Sequence, residues 1–183
     1  MRLRALAILW LVAAACTARA PRSTARSDCG YPQSRTTACT VVLSGALHDT
    51  LTCSVEPVYD AIRRQSVVEI GVQSSESSRL GGRVTAAVRF PGEPHVGTYR
   101  NTDRGASGAI YAYSTSYLEE WSATSGQQDV PQGSHTLTIT NVGTPYCETG
   151  GKAYPGLRGS LAATLPASRT STASGTVSLR ATF

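Results

Sequence analysis

Gly82-Arg83-Val84-Thr85-Ala86-Ala87-Val88-Arg89-Phe90 alternates apolar and polar residues with a period of two. Val84, Ala86, Val88 and Phe90 therefore fall on one face and Arg83, Thr85 and Arg89 on the other, the pattern of a strand buried on one side. Gly175-Thr176-Val177-Ser178-Leu179-Arg180-Ala181-Thr182-Phe183 has the same form, and shorter versions lie at 133–139 and 159–165. Further alternating runs occupy 40–43, 47–55, 67–73 and 110–117. In the second of these, Leu47, Leu51, Cys53 and Val55 share a face that Asp49 interrupts.

Turn-forming pairs separate these runs: Ser44-Gly45, Gly81-Gly82, Pro91-Gly92, Gly150-Gly151 and Pro155-Gly156, with a glycine-rich stretch from Gly105 to Gly108. Many short strands at this spacing predict an all-β fold, an antiparallel β-sandwich of about eight strands, with a closed β-barrel as the alternative. At most one short helix fits, at 58–64 or 117–121. The patterned end at Phe183 predicts that the last strand is paired inside the sheet. The glycine-led strands are too short to establish a repeat array, and shared strand chemistry accounts for their likeness.

Upstream of this body the texture changes. Arg2 and Arg4 precede an uncharged apolar run from Ala5 to Ala15, the length of a secretory core and too short to span a bilayer. The run ends Leu11-Val12-Ala13-Ala14-Ala15-Cys16. Residues 17–27 lack apolar periodicity and read as a flexible tether. The expected organisation is a signal peptide over 1–15, a modified N-terminus and tether over 16–27, and one β-domain over 28–183. A body of roughly 155 residues suits a single domain with a real core.

The small-residue run before Cys16 resembles the lipobox of bacterial lipoproteins. That resemblance implies cleavage before Cys16, a diacylglycerol on its thiol, and an acylated N-terminus that anchors the chain in a membrane. With Thr17 rather than Asp next, it points to the outer membrane of a cell envelope. An ordinary signal peptidase acting on the same alanines would instead give a freely secreted protein. The body is similar in texture to glycine-rich β-sandwich domains of envelope lipoproteins, a likeness that implies no activity.

The formal charge is +5, from 17 Lys and Arg against 12 Asp and Glu. Five of the basic residues precede Asp28 and none of the acidic ones does, so the body is close to neutral. It offers no basic face for phosphates, which excludes nucleic acid as an expected partner. Setting Cys16 aside leaves Cys29, Cys39, Cys53 and Cys147. An even set in an exported chain is read as two disulfides, with Cys29–Cys39 and Cys53–Cys147 the favoured pairing. No close Cys/His spacing suggests a metal.

Candidates for catalysis are few, and a hydrolase, the alternative to a non-enzymatic domain, would need a carboxylate or serine beside His48 or His135 in a cleft. His135 shares strand parity with Leu137 and Ile139 and is expected at a sheet margin, hydrogen-bonded. His48 falls on a solvent face and His95 in a proline-bounded loop. Gly105-Ala106-Ser107-Gly108-Ala109 lacks the last glycine and the strand–turn–helix setting of a nucleophile elbow, and reads as a loop. Gly150-Gly151-Lys152 has the wrong spacing for a phosphate loop. Asn101-Thr102-Asp103-Arg104-Gly105 is a fragment of a calcium loop without its glutamate, so a polar turn is preferred. Glu119 and Glu120 point to opposite faces of a strand. These readings assign no catalytic residue, cofactor or metal. One stretch offers a binding surface: Tyr111, Tyr113, Tyr117 and Trp121 share odd parity and would form an aromatic platform if one strand runs through them. Core packing of this stretch, with Ile110, Ala112 and Leu118 taking the other face, is the favoured alternative. A polysaccharide or another envelope protein is the partner such a platform would take.

Overall fold

The computed structural model describes residues 39–72, 83–114, 118–124, 133–147 and 153–183. The expected leader, tether and lipidated Cys16 lie outside them. Ten strands run in chain order: β1 (Cys39–Gly45), β2 (Asp49–Asp60), β3 (Gln65–Val72), β4 (Arg83–Pro91), β5 (Gly97–Arg100), β6 (Ser107–Tyr113), β7 (Glu120–Thr124), β8 (Ser134–Cys147), β9 (Ala153–Pro166) and β10 (Thr176–Thr182). All pair antiparallel in one sheet with the order β5-β8-β9-β10-β1-β2-β3-β4-β6-β7. The all-β, antiparallel expectation holds. In place of two layers of about eight strands, the ten strands among the described residues form one sheet curled into a half-barrel.

Alternation fixes which side turns inward. In β4 the odd-even pattern places Val84, Ala86, Val88 and Phe90 inside and Arg83 and Arg89 in solvent. β10 repeats it, with Val177, Leu179 and Ala181 buried. Each large apolar side chain so buried contributes about 1.5–3 kcal/mol. The curl brings the β5 edge back against β4: Phe90 of β4 stacks on Tyr99 of β5 with ring centroids 4.0 Å apart. The Tyr99 hydroxyl donates to the His95 carbonyl at 3.0 Å, which satisfies the polar end of a buried ring.

The β7 edge is covered by chain just past β9. Trp121 bridges Ala167, Ser168 N donates to Glu120 O at 2.8 Å, and Thr172 N donates to Leu118 O at 3.1 Å. The last strand lies inside the sheet, as its pattern predicts, between β9 and β1. Phe183 extends the pairing, exchanging backbone hydrogen bonds of 2.7 and 3.0 Å with Gly159.

Two expectations are corrected by the β1–β2–β3 region. No helix occurs among the described residues: 58–60 finish β2, and 61–64 form the turn to β3. Asp60 makes that turn, its Oδ1 accepting from Ile62 N and Arg63 N at 3.0 Å each. The favoured disulfide pairing also gives way, because Cys39 is bonded to Cys53. The β1–β2 register sets them directly opposite each other, with Cα atoms 4.8 Å apart, a separation suited to a disulfide. Proximity in sequence favoured Cys29–Cys39, but proximity across the hairpin decides. Cys29 and the side chain of Cys147 lie outside the described residues.

Candidate functional site

The outer face of β2, β3, β4 and β6 carries a furrow. Its floor follows from registers set by the turns. Ser54 lies opposite Gly71, Gly71 opposite Thr85, and Thr85 opposite Tyr111, forming one row across the sheet. The next row runs Glu56, Glu69, Ala87, Ala109. Small residues at Gly71, Ala87 and Ala109 sink the floor between Tyr111 on one side and the two glutamates on the other, enclosing an open concavity of about 320 Å³.

Two features of this face are chemically distinctive. Tyr111 and Tyr113 are half-exposed and stacked, with centroids 6.1 Å apart and planes 14° from parallel. Burial, together with the nearby Glu120 and Tyr111, raises the pKa of the Tyr113 phenol above its ordinary range, and the Arg83 charge opposes that shift. Glu56 and Glu69 stand directly opposite each other on neighbouring strands. Like charges in that relation are destabilising, and neither carboxylate has a hydrogen bond or ion pair among the described residues.

The four-member aromatic platform is corrected. Tyr111 and Tyr113 do share the outer face, but Trp121 pairs opposite Ala112 and is turned inward, 3% exposed. The chain reverses between β6 and β7, so one odd-numbered parity does not carry through from 113 to 121. Trp121 instead donates its indole N–H to Ser174 O at 3.2 Å. Tyr117 lies outside the described residues.

His135 departs from its expected place at a hydrogen-bonded margin. It is 2% exposed, and its Nε2 has no hydrogen-bond partner among the described residues. The ring lies over Gly108, where an added Cβ would come within 2.7 Å of Nε2. Burial lowers its pKa below the ordinary histidine range. Ser107 is on the opposite side of β6 from Gly108, so serine and imidazole are not brought together. His48 and His95 are exposed, the latter with Nδ1 2.9 Å from Glu93 O.

The 101–105 segment is a polar turn. Asp103 Oδ2 accepts from Arg100 N at 2.7 Å, and Asn101 Oδ1 accepts from His135 N at 3.4 Å. Those oxygens serve the backbone, and no group of three or more potential metal ligands occurs among the described residues. Glu120 belongs to β7 and Glu119 precedes it, with no pairing between them to suggest acid–base chemistry.

The opposed glutamates escaped the reading by sequence. The missing signal was the turn at 61–64: placing a hairpin there sets 60 against 65 and, by count, 56 against 69. No family model, curated protein or solved structure matches the chain.

Proposed function

We propose that this chain is a cell-envelope lipoprotein, a non-enzymatic β-domain held to a membrane by lipid on Cys16. The observation that carries the reading is the passage from Arg2 and Arg4 through the apolar run to Ala13-Ala14-Ala15-Cys16. The Cys39–Cys53 disulfide supports an oxidising compartment, since such bonds persist mainly in exported proteins. Two or three acyl chains, at about 0.8 kcal/mol per buried methylene, would make the anchor stable. We read the curled sheet as the functional equivalent of a sandwich, its facing halves meeting at Phe90 and Tyr99. Thr17 after the cysteine favours the outer membrane.

Intact-mass spectrometry of membrane-fraction protein tests this. The expected species lacks residues 1–15 and carries the added mass of acylglycerol, and Cys16→Ser abolishes that addition. A mature chain with an unmodified Cys16, cut at the same bond, would instead make it a freely secreted protein.

A second reading rests on a separate observation, the stacked Tyr111–Tyr113 pair beside the furrow. It makes the outer face a binding surface for carbohydrate or another envelope polymer, whose sugar rings present apolar faces to aromatic side chains.

A further inference from the structure

We infer that the furrow selects sugars bearing free, protonated amines over neutral ones. The inference rests on the polymer-binding reading of the tyrosine face and adds a charge requirement to it. Its basis is the cross-strand opposition of Glu56 and Glu69, two carboxylates that repel each other and have no cationic partner among the described residues. A cation seated between them would turn that repulsion into two charge-assisted hydrogen bonds. The ligand cannot be a bare cation alone, because the remainder of the furrow is built for a flat, partly apolar body.

Tyr111 forms the opposite wall. From Glu69 on β3 to Tyr111 on β6 is two strand spacings, about 10 Å, with the low floor of Ala87 and Ala109 between them. That span fits a saccharide of two or more units, one ring against Tyr111 and the next presenting its ammonium to the glutamates. The hydroxyls of Ser54 and Thr85 line the same concavity and suit sugar hydroxyls. The body carries equal numbers of acidic and basic residues, so selection by charge must come from this local pair rather than from net attraction.

The test is calorimetric titration of the purified mature chain with a glucosamine tetrasaccharide and with its fully N-acetylated, uncharged counterpart. About pH 5.5 is suitable, above the ordinary carboxylate range and low enough to protonate the sugar amines. The expected result is roughly tenfold tighter binding of the aminated sugar at low salt, the order expected for an exposed charge-assisted contact. In the double variant Glu56→Gln/Glu69→Gln that preference is lost while affinity for the neutral sugar is kept. Removing opposed like charges is expected to leave the melting temperature no lower, so thermal melting of the variant separates lost binding from lost fold. Equal binding of both sugars overturns the inference and leaves the polymer-binding reading standing. Binding of neither overturns both, and a preference that survives the double variant places the charge selection elsewhere and overturns the inference.

Discussion

His135 and Gly108 form one unit: the glycine has no side chain, and the imidazole lies where a Cβ would project. The reason for this pairing was not legible in the sequence. Strand parity correctly put His135 on the same face as Leu137 and Ile139, but parity alone does not tell whether a face meets solvent at a margin or another strand in the interior. The consequence is acid sensitivity. The buried ring resists protonation, so its pKa is lowered in the folded state, whereas an unfolded chain takes up a proton near pH 6.5. The unfolded state then binds more protons, and stability falls as pH drops below about 6.5 and is fully present above it. The loss should approach about 1.4 kcal/mol for each pH unit between the unfolded and folded pKa values. Urea denaturation at a series of pH values between 7 and 5 is expected to show this slope in the wild type and a flatter profile in His135→Leu. An unchanged slope in the variant would assign the sensitivity to another group.

At the scale of the element, strands with clean alternation were the ones the sequence revealed. β4 and β10 each bury every second residue, and both were readable from their first glycine onward. β5 was missed because four residues hold too few periods to show alternation. β7 was missed because Trp121, Ser122, Ala123 and Thr124 are all buried, so both of its faces are covered and no polar side marks it as a strand. The short helix allowed at 58–64 is replaced by a hairpin, and Ile62 is 97% exposed at its tip. The β1–β2 hairpin yields a prediction of its own. Its disulfide joins residues 14 apart, for which chain-entropy bookkeeping gives about 3 kcal/mol. The double variant Cys39→Ala/Cys53→Ala is expected to lose about 2–3 kcal/mol in urea denaturation while keeping the β-sheet circular dichroism signal. A loss near zero would mean that the paired strands are held fully by their ladder and core.

For the whole molecule, the decisive feature is the position of β10. It lies between β9 and β1 and is the strand that joins the β5-β8-β9 side of the sheet to the β1-β2-β3-β4-β6-β7 side. A chain ending before Thr176 is expected to lack the cooperative urea transition and the dispersed amide spectrum of the full domain. Retention of both would mean that either side folds without the other. Contacts between residues so far apart in sequence also place folding toward the slow, millisecond-to-second range, measurable by stopped-flow refolding. This topology has a further effect on the order of events in the cell. While the ribosome is still adding residues 176–182, the ladder between β9 and β1 is missing and both strands present an unpaired edge. Until β10 is in place those two edges are open to pairing with a strand of another chain, and its arrival closes both at once.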